Sequence, residues 1–142
     1  MQAKPICPDA SFVMRLLLAT DEDHPAVQRW REWEKQGLVP TAPALLGYEV
    51  TNALHRYERM GELLPDEVDD ALALSHDLAI RLVEDPNLHQ RALRIARELA
   101  LPAAYDAHYI ALAERLGCEF WTFDARLVRA ASAKLPWVRF CG

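Results

Sequence analysis

Short apolar runs alternate with longer stretches of helical period along this chain. Ile6-Cys7 is a brief β-like run between Pro5 and Pro8. Ala10 to Leu18 carries the spacing of a helix. A second helix starts near Asp23, a residue suited to cap it, with Pro25 in its first turn, and ends before Gly37. Leu38 to Thr41 predicts a second strand. Ala44 to Met60 is a long amphipathic helix that stops at Gly61, and Pro65 opens another to about Asp77. Ala79 to Val83 predicts a third strand, and Pro86 opens a helix to about Leu99. Tyr105 to Leu116 is a helix closed by Gly117. Glu119 to Phe123 predicts a fourth strand and Trp137 to Phe140 a fifth. Strands separated by helices predict an α/β fold whose sheet is mostly parallel.

The chain has 142 residues, enough for one domain with a substantial core, and a single domain is expected over 1–142. It shows no internal repeat and no long linker. No apolar run approaches the ~20 residues that a bilayer span needs, and the start of the chain does not read as a signal peptide. Cys7, Cys118 and Cys141 are odd in number and scattered, which fits reduced thiols in a cytoplasm and no zinc spacing. Sixteen Lys and Arg against 21 Asp and Glu give a net charge of −5. Taken alone, that balance speaks against a protein that coats nucleic acid.

Four of the acids change the picture. In parallel sheets, ligands bind beyond the carboxyl ends of the strands. Asp124 stands at that end of the run Glu119-Phe120-Trp121-Thr122-Phe123, and Asp9 follows Ile6-Cys7. In the 105–116 helix, Tyr109, Ile110, Ala113 and Leu116 form the apolar stripe, and Asp106 falls near its middle in the first turn. A carboxylate aimed at a core needs a partner; an acid favoured by the helix dipole is the plainer reading. In the 44–60 helix, Glu49 borders the stripe of Leu46, Val50, Ala53, Leu54 and Tyr57, with Asn52 and Arg56 on the same flank. A solvated border is the plainer reading of Glu49. Should all four acids converge, their charges require compensation. Carboxylates without histidine or cysteine favour a hard cation, Mg2+ or Mn2+.

Asp9-Ala10-Ser11, Tyr48-Glu49-Val50-Thr51-Asn52-Ala53-Leu54, Tyr105-Asp106-Ala107-His108-Tyr109-Ile110-Ala111-Leu112-Ala113 and Thr122-Phe123-Asp124 stand in that order. In these motifs and their intervals the chain resembles the PIN-domain ribonucleases, and among them the VapC-type toxins of toxin–antitoxin pairs. The resemblance implies a three-layer α/β/α fold around a mostly parallel sheet of about five short strands. It implies a Mg2+- or Mn2+-dependent endoribonuclease, with Asp9, Glu49, Asp106 and Asp124 as metal ligands and a metal-activated water as attacking group. Ser11 and Thr122 match hydroxyl positions that hydrogen-bond the carboxylates or water, and Asn52 matches a supporting position. An RNA substrate, an antitoxin that covers the acid cleft and a homodimer are further implications. The chain departs from the family at Pro5 and Pro8, which interrupt a strand that should be central; proline cannot donate to a sheet ladder.

With the four acids set aside, 17 remain against 16 basic residues, and the charge objection weakens. Arg56 and Arg126 are then the candidates to meet RNA phosphates, as neighbours of the site acids; solvated surface arginines are the plainer reading. His24, His55, His76, His89 and His108 show no helical pairing that suits a metal. Trp30 and Trp33, three apart, are read as core, with an interface as the alternative. Two other functions fit the same residues: a PIN-like module that binds RNA or protein without cutting, and a phosphohydrolase of small nucleotides.

Overall fold

The computed structural model describes residues 3–142. Five strands, β1 (Pro5–Pro8), β2 (Val39–Pro43), β3 (Arg81–Val83), β4 (Phe120–Thr122) and β5 (Val138–Phe140), form one parallel sheet in the order β3-β2-β1-β4-β5. Between them run α1 (Ala10–Leu18), α2 (Pro25–Gln36), α3 (Leu45–Arg59), α4 (Pro65–Asp77), α5 (Leu88–Glu98), α6 (Tyr105–Leu116) and α7 (Ala125–Ala131). The expected α/β/α layering follows from the period of two in the central strands. Cys7 and Phe120 point into the larger core with Val50, Leu54, Ile95 and Ile110. Their neighbours Ile6 and Trp121 point into a smaller core on the other face, with Phe12 and Trp33. Trp33 stacks on Phe12 at 4.9 Å between centroids, and the half-buried Trp30 lies 5.8 Å from Trp33. Among the described residues, no helix is long and apolar enough to cross a membrane.

The prolines of β1 are tolerated in the centre of the sheet because of parity. In a parallel strand, alternate residues donate to opposite neighbours. Cys7 and Asp9 donate their N–H groups to Glu119 and Trp121 on the β4 side. Pro5 would face the same side one rung earlier, at Gly117, where α6 is only just ending. Pro8 faces β2 and forfeits a single rung at the last position of the strand. Pro40 follows the same rule: even-numbered residues of β2 face β3, as Ala44 does when it donates to Val83, and Pro40 precedes the first paired residues, Thr41 and Arg81.

Several boundaries depart from the sequence expectation. The cap of α2 is His24, whose Nδ1 accepts from the N–H of Ala26 at 3.0 Å; Asp23 sits one residue too early, in a turn held by Asp21. Pro25 holds the residue before it extended, which puts the cap at 24. Strand β2 runs on to Pro43, because backbone pairing with β3 outlasts the apolar run. Strand β3 starts at Arg81, since Ala79 takes φ 53° in the turn that closes α4. Helix α5 starts at Leu88, after a turn in which Asp85 accepts from the N–H of Asn87. Leu116 lies on the exposed side of α6, which instead buries Ala107, Ala111 and Leu112 as well. Helix α7 was not anticipated.

Ala100 closes α5 at φ 54°, with Leu101 donating back to Ala96. A Cβ is strained there, whereas glycine is not. Ala100→Gly should raise stability by about 0.5–1 kcal/mol, the relief exceeding glycine's extra freedom when unfolded. Urea unfolding measures it, and a clear loss of stability would refute the reading.

Candidate metal centre

The strand order reverses direction between β1 and β4: the chain builds outward from β1 through β2 to β3, then returns to place β4 and β5 on the other side. Parallel sheets open a crevice at such a point, beyond the carboxyl ends of the two strands. Asp9 follows β1 and Asp124 follows β4, so both emerge into it.

Asp9 is buried, and each of its oxygens has a partner. Oδ1 accepts from Ser11 Oγ at 2.6 Å and from the N–H of Phe12 at 2.9 Å; Oδ2 accepts from Thr122 Oγ1 at 2.6 Å. The two hydroxyls lie 3.2 Å apart. They also take up backbone donors of the neighbouring strand end: Ser11 Oγ accepts from Phe123, and Thr122 Oγ1 from Asp124. Asp124 in turn caps α7, its Oδ1 accepting from the N–H groups of Arg126 and Leu127. One network therefore fixes Asp9 against Asp124 across the crevice.

The other two acids arrive from helices. Glu49, half-buried on α3, accepts from Tyr109 Oη at 2.6 Å across to α6. Asp106 lies half-buried in the first turn of α6. Burial lifts the Asp106 carboxyl to about 6, and the charges of Glu49 and Asp124 add to the rise. Asp9 is pushed up to about 7, by burial first; its three donors pull the other way, and Asp106 adds a smaller push. Burial and the adjoining Glu49 carboxylate raise the Tyr109 phenol far above its usual range, so it remains a donor. Asp106 thus faces the charges of Glu49, Asp124 and Asp9. Among the described residues, no three of the His, Cys, Asp and Glu side chains converge tightly enough to hold one ion. The acids border the crevice as an open set.

That donor set fits a hard cation. It consists of carboxylate and hydroxyl oxygens, with neither imidazole nor thiolate among them. Burial lifts Asp106 first, and the repulsion that adds to the rise is the kind a divalent ion removes.

A family model for the PIN domain matches residues 6–133. This chain belongs to the PIN-domain family. Ribonuclease VapC9 of Mycobacterium tuberculosis is 33% identical to it over 94 residues, 66% of this chain and 72% of that protein. VapC ribonuclease Mb0985 of Mycobacterium bovis matches to the same extent. Among solved structures, PAE2754 from Pyrobaculum aerophilum superposes with a TM-score of 0.65 at 27% identity, covering 90% of this chain and 79% of that one. A toxin–antitoxin complex from Klebsiella pneumoniae superposes at 0.63 and 17% identity, covering 94% and 95%, a likeness of fold.

In this PIN domain the remaining candidates fall at different distances from the acids. Asn52 and Arg56 line a cleft of about 250 Å3 together with Glu49 and Ser11. Arg126 is exposed on α7, outside the lining of this cleft; its backbone N–H, rather than its guanidinium, meets Asp124. Tyr109 belongs to the core, as its place in the apolar stripe predicts, and its hydroxyl also holds Glu49. The signal was a buried tyrosine three residues from Asp106, since a buried phenol must find a partner. The cap role of Asp124 was legible too, as an aspartate ahead of a helix-forming run. His89 and His108, unpaired in sequence, meet across α5 and α6 at 2.9 Å, with His108 Nδ1 bonded to the carbonyl of Ala104.

Thr122→Val keeps the shape of a buried side chain but removes one donor from Asp9 and one acceptor from the N–H of Asp124. Stability should fall by about 1–3 kcal/mol and metal affinity by about 10–100-fold, as for other groups that orient a metal ligand. Denaturant unfolding and a Mn2+ titration read the two effects. An unchanged affinity would remove Thr122 from the site.

Proposed function

We propose that this PIN domain, a single unit over 1–142, is a divalent-metal-dependent endoribonuclease and the toxin of a VapBC-type toxin–antitoxin module. The observation that carries the reading is the hydroxyl network that holds the Asp9 carboxylate and the backbone of Asp124 at the sheet reversal, with Asp106 raised by burial first and by its acidic neighbours next. Such a cluster costs stability and has no structural use that an apolar core would not serve better. The names of the mycobacterial relatives support RNA as substrate.

Asp9, Glu49, Asp106 and Asp124 would hold Mg2+ or Mn2+. A divalent cation there would supply a Lewis acid that acidifies water and takes up charge on phosphoryl oxygens. The chain's own part is orientation. Ser11 and Thr122 hold Asp9 with both oxygens fixed, Tyr109 holds Glu49, and the start of α7 holds Asp124. Arg56 lines the same cleft as Glu49 and would meet a backbone phosphate. An antitoxin would cover the cleft when the protein is at rest. A homodimer and a cytoplasmic setting complete the proposal.

Purified, partner-free protein incubated with total cellular RNA should yield discrete fragments with Mg2+ or Mn2+ and none with EDTA. Intact RNA in every condition, with the protein folded, would point to a PIN-like binding module or to a small-nucleotide substrate.

A further inference from the structure

A second cleft of about 510 Å3 adjoins the acids and shares Ser11, Met14, Ala53 and Arg56 with the smaller one. Its walls are two helical stripes of the same spacing. Helix α1 contributes Ser11, Met14, Arg15 and Leu18, and α3 with its cap contributes Ala53, Arg56, Tyr57 and Met60. Both are i, i+3, i+4, i+7 sets, so each presents one continuous face. Phe123 and Asp124 lie at the end nearest the acids, and Glu62 also lines the cleft.

The chemistry changes along it. The inner end is polar, with Ser11 Oγ and Asp124. Leu18, Tyr57 and Met60 add an apolar stretch of wall, and Met60 is 69% exposed. Two guanidiniums border the cleft, and that of Arg15 lies 5.2 Å from the Phe123 ring centroid. The volume is within the range of sites that engulf a small ligand, about 300–1,000 Å3.

We propose that this cleft receives one unpaired nucleotide of the substrate strand next to the bond to be cut, and that Glu62 selects which base it accepts. The inference rests on the ribonuclease reading, because continuity with Asp124 is what assigns the occupant to the same strand. Phosphates of that strand meet Arg15 and Arg56. The base lies against Tyr57 and Met60, a sequence-tolerant contact. Glu62 offers only acceptors, which suit an exocyclic amino group such as cytosine N4 and repel the O4 of uracil.

The test measures binding, so that it stands apart from cleavage. The Asp106→Asn protein, in Mg2+ buffer, is titrated by fluorescence anisotropy with three labelled chains of equal length: oligocytidylate, oligouridylate and a ribose–phosphate chain without bases. Oligocytidylate should bind about tenfold tighter than the baseless chain and about fivefold tighter than oligouridylate. Met60→Ala, on an exposed helix cap with no core to disturb, should erode the advantage of bases while leaving the baseless chain unchanged. Glu62→Gln should remove the preference for cytosine. Arg15→Ala should weaken all three chains alike. This pattern would support the pocket even if the wild-type protein cut no RNA, an outcome that would sink only the nuclease reading. Equal binding of oligocytidylate and the baseless chain would overturn the proposal, as would a cytosine preference indifferent to Glu62→Gln or binding of none of the chains.

Discussion

Asp106→Asn should reduce RNA cleavage by about 10²–10³-fold or more, the scale on which losing one electrostatic stabiliser of a transition state is felt. It should do so without loss of fold. The amide has the shape of the carboxylate but carries no charge. Asp106 lies in a partly buried position where burial, Glu49 and Asp124 all disfavour ionisation, so its pKa stands at about 6. Removing that charge should stabilise the ion-free protein above pH 6, by about 1–2 kcal/mol after allowing for solvent screening. The helix dipole opposes this by about 0.3–1 kcal/mol, because an acid in the first turn is favourable; burial together with the repulsion is the larger effect. Below about pH 4, where the wild-type carboxyl is protonated as well, the two proteins should differ little. Cleavage time courses and urea unfolding at two pH values give both readings. A variant that cuts as well as the wild type would take Asp106 out of the centre. A variant that is inactive because it has unfolded would show that the acid serves the fold.

The ion-free protein should lose stability as pH rises from about 5 to about 7. The sign follows from the direction of the shifts. Asp9 and Asp106 have folded pKa values of about 7 and about 6, both above the 3.8 of an unperturbed aspartate. The folded state therefore binds more protons in this window than the unfolded chain. The stability contributed by these carboxyls is complete below pH 4 and disappears as pH climbs through the folded values. For Asp9 the change is about 4 kcal/mol. Asp85 and Glu114 act in the opposite direction. Asp85 is held low first by the N–H of Asn87 and then by Arg115, and Glu114 by Arg91. Their contribution appears near pH 4 and is complete above it, so it leaves the pH 5–7 window to the site acids. Mg2+ or Mn2+ should flatten the decline, since a cation favours the ionised form of the same groups, and its binding should release protons at pH 6–7. Thermal unfolding across pH in EDTA and in Mg2+ tests this. Stability that rises with pH in EDTA would contradict the electrostatics of the site.

Much of this was legible from residue patterns, and the misses have physical causes. Asp9, Glu49, Asp106 and Asp124 stand out as acids at strand ends or beside apolar stripes; the fold puts Asp9 and Asp124 after the two strands at the reversal of strand order, β1 and β4, and Asp106 within reach of the charges of Glu49, Asp124 and Asp9. Strand β1 was the hardest element to read, because a count of prolines says nothing of which neighbour each would have faced. Parity resolves it: Cys7 and Asp9 carry the ladder to β4, and Pro5 and Pro8 fall where little is lost. Helix α7 escapes the sequence reading because its first residue follows directly on Asp124, an acid assigned to the site, which the structure shows to be the helix cap. The link from Tyr109 to Glu49 joins residues 60 apart, and the meeting of His89 with His108 spans two helices. Contacts of that kind depend on how helices pack against the sheet, which periodicity within one helix does not encode. Arg126 shows the converse: nearness to Asp124 in sequence put it beside the acid, and the cap geometry turns its backbone, rather than its charge, toward the carboxylate.

The central claim is the proposed one, that the four carboxylates, an open set without an ion, draw together on a divalent cation. Titrating Mn2+ into the protein at pH 8 and following the free ion by electron paramagnetic resonance asks this directly, before any choice of RNA. Saturable binding that Asp106→Asn abolishes or weakens at least about tenfold is the result expected. Absence of saturable binding, or binding that the variant leaves unchanged, would contradict it.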